Sequence, residues 1–350
     1  EEGWQRPWGA DADHLKTPDD VAPFADAGYT FFTIDPGDHV DDEIDLEPVQ
    51  LEAKVSALPW EALEDLQGDL ERRFLAMPFD LDGHEVSFDR AGLWRAAAKY
   101  GRAVAHTTAM YRHIVSLMAE RPFELEVSVD ETANPTTVAE HVYIACELRR
   151  LGVRWVSLAP RFVGSFEKGV DYIGDLEEFE HEFAAHAAVA RRFGPYKLSL
   201  HSGSDKFSVY PITSRLTRHG GTRSPGPMVH VKTAGTSFLE ALRAIAQTDS
   251  GLFRQILELA RERYETDRAT YHVSAELAKV PAPDDLSDTA LPELLEQFDA
   301  RQVLHVTFGS VLDSYGERLQ ESLRGSEELH YDVLRKHFGR HLGPFVPQED

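Results

Sequence analysis

The stretch FELEVSVD at residues 123–130 decides the fold. Its apolar and polar residues alternate, which is the period of a strand with one buried face. A helical run follows at residues 138–151, with Asn134-Pro135 as its start signal and Gly152 as its stop signal. A strand that leads directly into a helix predicts one repeat of a parallel α/β sheet.

The same unit recurs along the chain. The predicted strands are residues 8–15, 29–35, 123–130, 154–161, 196–201, 228–233 and 302–308. Seven strands alternating with helices predict an α/β fold, a (β/α)8 TIM-like barrel that lacks its first strand. An open doubly wound sheet is the alternative. Its strands are usually apolar throughout, whereas these carry polar residues at every second position near their carboxyl ends.

We expect residues 1–350 to form a single barrel domain with two additions. Residues 42–121 form a mostly helical insertion after the second predicted strand, where a lid, a pocket wall or an oligomer contact would each fit. Residues 313–350 form a helical tail. A homo-oligomer is left open.

Composition excludes several function classes. Sixty acidic residues against 36 basic ones give a net charge of −24, which disfavours binding to nucleic acid or to an anionic membrane. No apolar run approaches the roughly 20 residues of a membrane span. The single cysteine, Cys146, cannot form an internal disulfide, which fits a reducing, cytoplasmic location.

Polar side chains collect on one face of the predicted strands. Where the apolar face packs under helices, the other face points inward. The inward residues are Asp11, Asp13, Thr33, Asp35, Glu124, Glu126, Ser128, Asp130, Ser157, Arg161, Lys197, Ser199, His201, His230, Lys232, His305 and Thr307. A dry core would not accept so many ionisable groups. The pattern therefore predicts a barrel active site, with a salt-bridged interior as the alternative.

Three histidines on separate predicted strands, His201, His230 and His305, indicate a divalent metal near Asp130 or Glu131. Imidazole with carboxylate suits Zn, Mn, Ni or Co. Each histidine could instead have a structural role.

Two loops and one strand end are suited to a substrate anion. In HSGSDK at residues 201–206 a glycine allows a tight turn, and hydroxyls and an ammonium supply donors. A second small-residue loop, residues 233–236, leads into a helix. The candidate substrate-binding residues are Arg161, Ser202, Ser204, Asp205, Lys206 and Thr233.

Four segments carry a resemblance to a known family. TIDPGDHVD (33–41), VDETANPTT (129–137), KLSLHSGSDKFSVYP (197–211) and HVKTAGTSFLEALR (230–243) resemble the tagaturonate epimerase family. The resemblance implies a metal-assisted interconversion of the sugar acids D-tagaturonate and D-fructuronate, which differ in configuration at C4. Family members carry a further glycine-rich strand ahead of the part that matches residues 8–17, which would account for the missing strand.

The C4 hydrogen of such a substrate is not acidic, because the carbonyl is at C2. We therefore expect a retro-aldol route, with Asp35, Asp130 and Glu131 as acid/base carboxylates and Lys232 as an electrostatic or proton-transfer partner. A Schiff base through Lys232 or Lys206 is a metal-free version. Transient oxidation by a nicotinamide lacks its GxGxxG fingerprint here.

Two other functions compete. A class II-type aldolase or a ketose-aldose isomerase would use the same metal and carboxylates. A sugar-acid-binding protein without turnover would avoid negative charge in its pocket, so the inward carboxylates argue against it.

Overall fold

A computed structural model describes residue 5 and residues 9–43, 45–81, 83–218, 228–233 and 235–346. The chain forms two compact units. The first comprises the described residues up to Val163, with Glu177–Ser199 and Met228–His230. The second comprises Gly164–Leu176, the described residues within 200–227, and the described residues from Val231 onward. The single-domain expectation stays a prediction.

The first unit is built on a parallel sheet. Its strands are β1 (Asp11–Leu15), β2 (Phe31–Ile34), β5 (Glu124–Val129), β6 (Ser157–Pro160), β7 (Lys197–Leu200) and β8 (Val229–Val231), in that spatial order; the final residues of β7 and β8 belong to the second unit. Its helices are α1 (Pro18–Asp26), α2 (Pro48–Ser56), α3 (Gln67–Leu75), α4 (Arg90–Met118), α5 (Val138–Arg150) and α6, whose range Leu176–Phe193 begins with a residue of the second unit. A hairpin of β3 (Phe79–Leu81) and β4 (His84–Val86) completes it.

The register across this sheet aligns polar residues from four strands. Thr33 pairs with Glu126, Glu126 with Ser157, and Ser157 with Lys197. Six of the seven predicted strands are confirmed. The described residues form a six-stranded parallel half-barrel, and a closed barrel is not confirmed.

The predicted insertion includes one helix, α4, that belongs to the regular strand–helix–strand pattern of the sheet. Residues 42–121 hold α2, α3, the unforeseen hairpin and α4. Helix α4 packs against α1 and α5 and is the crossover that the parallel β2–β5 pair requires. The extra part is therefore the segment before α4, and its role as a lid stays a prediction.

The second unit is mainly helical in its described part. It contains α7 (Tyr210–Thr217), α8 (Thr236–Thr248), α9 (Ser250–Asp267), α10 (Phe298–Val306), α11 (Phe308–Gly325) and α12 (Glu327–Leu342). Its core is formed by buried residues of α8 to α11, among them Leu239, Phe253, Ile256 and Val303. None of the helices in the described part of the chain combines the length and apolarity that crossing a membrane requires.

The predicted strand at residues 302–308 is wrong, because this segment is helix α10 followed by the start of α11. Seven of the nine residues of α10 are buried. A helix that is buried on nearly all sides lacks the one-sided apolar stripe of a surface helix. Its short apolar run therefore matched a strand pattern by chance.

Candidate functional site

The polar face of the first unit's sheet lies on its concave side. Glu126 of β5 is fully buried and accepts a hydrogen bond from Nδ1 of His230 on β8 at 2.9 Å. These strands are three places apart in the sheet, which is about 14 Å in a flat sheet. Direct contact between their side chains therefore requires strong curvature toward this face.

Glu126 sets the orientation of His230. A carboxylate only accepts, so the proton of the imidazole lies on Nδ1 and the lone pair of Nε2 is left available. A carboxylate behind a histidine is the usual arrangement of a metal ligand. Thr33 donates from Oγ1 to Asp11 at 3.0 Å and lies 3.4 Å from Glu126 Oε1, so the network continues onto β1.

A second polar group lies where β1 and β2 end. The Nδ1 atom of His14 is 3.0 Å from Asp35 Oδ2, and Lys16 Nζ is 3.7 Å from the same oxygen. The backbone N–H of Gly37 donates to Asp35 Oδ1 at 2.8 Å. Ligand atoms of His14, Asp35 and Glu131 all lie within 4.8 Å of one another.

The charge state of Asp35 follows from these contacts. Burial alone would raise its pKa, but hydrogen bonds from His14 and Gly37 hold the pKa below its usual value. The pKa of Lys16 is raised in turn by the charge of Asp35. Asp35 is therefore ionised at neutral pH and keeps its partner cation protonated.

Two predicted site residues, Asp130 and Arg161, lie in or contact the segment that follows β5. The hydroxyl of Ser128 donates to half-buried Asp130. The guanidinium of Arg161 donates to the carbonyl of Thr132, and its backbone N–H donates to Thr136 Oγ1 at 3.1 Å. Arg161 therefore ties this segment to the end of β6.

The HSGSDK loop belongs to the second unit. His201 is buried, and Ser202 and Asp205 adopt positive φ angles of 49° and 64°, an uncommon backbone that often accompanies function. A Cβ on Gly203 would lie 2.6 Å from the Leu200 carbonyl oxygen, so this turn requires glycine.

Lys206 has a different environment from the one that the sequence predicted. The side chain is fully buried, and its ammonium donates to the carbonyls of Glu167, Val170 and Ser204 at 2.6–2.9 Å. Burial lowers its pKa to about 7, while three carbonyls match the three donors of the charged form. The predicted grip on a substrate anion is not supported, because every N–H is directed at the backbone.

The predicted metal ligands are divided between the units. His230 belongs to the first, and His201 and His305 belong to the second. His305 lies on helix α10 rather than on a strand and packs against Gly235. Its Nδ1 has no hydrogen-bond partner among the described residues, and burial lowers its pKa to about 4. The joint ligand set stays a prediction.

The remaining substrate-binding candidates and the catalytic candidate Lys232 lie in this loop or in the segment after β8. Ser204 and Asp205 of the loop are buried, Lys232 is half-buried, and Thr233 is exposed. The catalytic role of Lys232 stays a prediction. The Lys232 carbonyl accepts the N–H of Gly203 at 2.9 Å, which joins the segment after β8 to the loop.

Sequence reasoning missed three histidines. His14 lies at an irregularity in the β1–β2 register, where the alternation is reset and gives no signal. His337 and His341 have ligand atoms within 4.8 Å of those of Asp205. Their spacing of four on a predicted helix was a readable signal.

Comparison with known proteins identifies the family. The chain matches the tagaturonate epimerase family profile over residues 1–344. A tagaturonate/fructuronate epimerase of Thermotoga maritima is 44% identical over 346 residues, which cover 98% of this chain and 68% of that protein. The native crystal structure of fructuronate-tagaturonate epimerase from Cohnella laeviribosi aligns with a TM-score of 0.90 and 38% identity, covering 98% of this chain and 69% of that one. A glycerol complex of the same enzyme also gives a TM-score of 0.90. The chain belongs to the tagaturonate epimerase family and is a carbohydrate epimerase.

Proposed function

We propose that this chain inverts C4 of a ketohexuronate, interconverting D-tagaturonate and D-fructuronate, by a metal-dependent retro-aldol route. The names of its relatives support the substrate. The observation that carries the chemistry is the concave face of the first unit, where carboxylates and imidazoles share one side of a curved sheet. Such a face can exchange protons with sugar hydroxyls.

The reaction conserves every atom of the substrate. A base removes the C4 hydroxyl proton, C4 becomes an aldehyde, and the C3–C4 bond breaks. Its electron pair moves to C3 and is shared with the C2 carbonyl as an enediolate. The aldehyde then rotates, C3 attacks its opposite face, and the proton returns to the C4 oxygen.

The His14–Asp35 pair is suited to the proton transfer. Asp35 holds the proton of the imidazole on Nδ1, so that Nε2 can accept a hydroxyl proton. Glu131, whose ligand atom lies within 4.8 Å of both, is the second acid/base group. Asp130, on the same segment as Glu131, keeps its predicted catalytic role.

The first unit also fits the metal that the family resemblance implies. His230 would hold it, because Glu126 fixes the imidazole with Nε2 as the free nitrogen. His201 and His305 stay predicted ligands from the second unit. When bound, a divalent cation supplies Lewis-acid stabilisation of negative charge on the substrate oxygens.

Product analysis tests the proposal. Metal-loaded protein is incubated with D-tagaturonate, and the products are resolved by ion-exchange chromatography. We expect D-fructuronate with its six carbons retained, and loss of conversion after chelation that is restored by the metal.

Each competing function has its own outcome. Two three-carbon products would indicate an aldolase, and an aldose product would indicate a ketose-aldose isomerase. Binding without conversion would favour a sugar-acid-binding protein. Full activity after exhaustive chelation would overturn the metal dependence alone.

A further inference from the structure

The second unit contains a buried histidine–carboxylate cluster whose two histidines have no part in the proposed reaction. Asp205, His337 and His341 are all at most 5% exposed. We propose that these three residues form a divalent metal site of the zinc type, with an open coordination position that faces an adjoining pocket. The proposal is independent of the proposed function.

The two histidines are placed as metal ligands on one helix face. His337 and His341 are four residues apart on α12, so their side chains lie one turn apart on the same side. Their ring nitrogens and the Asp205 carboxylate lie within 4.8 Å of one another. Two histidines at this spacing with one carboxylate are a frequent set of zinc ligands.

The hydrogen bonds of His341 fix its tautomer. Its Nδ1 is 3.0 Å from the carbonyl of His337, which can only accept, so Nδ1 carries the proton. Its Nε2 accepts the backbone N–H of Asp205 at 3.1 Å. The Nε2 lone pair therefore points at the residue that would supply the carboxylate ligand.

His337 lies between two carboxylates. Its Nδ1 is 3.4 Å from Glu240 Oε1, and its Nε2 is 3.4 Å from Asp205 Oδ1. A cation held between Nε2 and Asp205 Oδ1 would take a ligand atom from each residue. With its proton directed at Glu240, His337 has the carboxylate–histidine–metal arrangement.

Groups around the cluster leave one carboxylate oxygen for the cation. Arg301 Nη2 is 3.2 Å from Asp205 Oδ2, so Oδ1 is the oxygen turned toward the histidines. The hydroxyl of Thr236 contacts His337 Nε2 and lies 3.4 Å from both oxygens of Asp205. Metal binding replaces the Asp205 N–H and the Thr236 hydroxyl as partners of the two Nε2 atoms.

The surroundings of the open coordination position indicate which class of ligand would bind there. Three protein ligands leave one place in a tetrahedral zinc site. Asp205 and His337 line a pocket of about 570 Å³ whose wall also contains four cationic and four acidic side chains: Arg243, Arg301, Lys336, Arg340, Asp171, Glu240, Glu296 and Asp332. Arg243 pairs with Glu240 and Glu296, and Arg301 pairs with Asp205. Lys336 and Arg340 are therefore the cations that a small oxyanion on the metal, such as the carboxylate of a hydroxy acid, would meet.

Metal content of matched variants tests the site. H337Q and H341Q each keep a hydrogen-bonding side chain but lose an imidazole, and H330Q makes the same change on the same helix outside the cluster. Full-length proteins are loaded with Zn²⁺, dialysed and measured by plasma mass spectrometry. Wild type and H330Q are expected to hold one more equivalent of zinc than H337Q and H341Q. Equal zinc in all four proteins overturns the proposal.

A crystallographic measurement covers the case in which the variants do not fold. Wild-type crystals grown with Zn²⁺ are measured at the zinc absorption edge. We expect an anomalous peak about 2.0–2.2 Å from Nε2 of His337 and of His341. Ordered side chains without a peak there would mean that a protonated His337, not a metal, neutralises the cluster. Because only this cluster is probed, the result does not depend on the epimerase activity.

Discussion

The concave face of the first unit and the buried cluster of the second unit combine the same residue types in different ways. On the concave face, His230 and Glu126 come from separate parallel strands, and His230 keeps 29% of its side chain exposed. In the second unit, His337, Asp205 and Lys206 lie on a helix and a loop, and all are buried. The concave face thus leaves part of its imidazole exposed, whereas the polar side chains of the second unit's cluster are enclosed by the protein.

The variant with the largest expected loss of activity is on the concave face. Asp35→Asn removes the negative charge that orients His14, so we expect kcat/KM for C4 epimerisation to fall by about 10²–10⁴-fold. Asp26→Asn, at an exposed position at the end of α1, is the control and should retain full activity. Equal activity of the two variants would remove the His14–Asp35 pair from the mechanism.

The next variant tests whether Lys206 of the second unit has a structural role. Lys206→Met leaves three carbonyls without their donor, and we expect the free energy of unfolding to fall by about 3 kcal/mol or more. Lys279→Met, at an exposed position of the same unit, should leave the free energy of unfolding nearly unchanged. Urea denaturation measures both. Unchanged stability with a raised KM would restore the sequence-based role of Lys206 as an anion ligand.

The variant Glu126→Gln tests the contact between Glu126 and His230 on the concave face. The amide can still contact His230, but it no longer supplies the charge that holds the proton on Nδ1. We expect activity or metal affinity to fall by about 10–100-fold. Glu124→Gln, two residues earlier and exposed, is the matched control. A loss of the same size in both variants would show that strand β5, rather than the His230 pair, is sensitive.

The smallest effect concerns buried imidazoles away from the concave face. His141 and His186 contact through their Nδ1 atoms at 2.9 Å, and burial lowers the pKa of His186 to about 4. The folded pKa is below the unfolded value of 6.5, so stability is complete above pH 6.5 and is lost as the pH falls. From pH 7 to pH 5 this group should cost roughly 2 kcal/mol.

Urea denaturation at both pH values isolates this contribution. His186→Gln should lose about 2 kcal/mol less than wild type between pH 7 and pH 5. His181→Gln, at an exposed position of the same helix, should behave like wild type. An unchanged pH dependence in His186→Gln would mean that this imidazole is not held neutral.

The same contrast explains what the sequence could predict. Six strands and the polar face were readable, because a half-buried strand alternates with a period of two. Helix α10 was misread since it is buried on nearly all sides, and His305 was misplaced with it. The fully buried state of Lys206 could not be inferred, because its three acceptors include the carbonyls of Glu167 and Val170, almost 40 residues away in the chain.

The most direct test of the central claim uses substrate deuterated at C4. The metal-loaded protein converts protonated and deuterated D-tagaturonate in separate reactions, and NMR follows the appearance of D-fructuronate. Carbon–carbon cleavage predicts that deuterium stays at C4 in the product and that the two rates are nearly equal. Loss of deuterium to solvent, or a several-fold slower reaction of the deuterated substrate, would show that the C4–H bond breaks and would contradict the account.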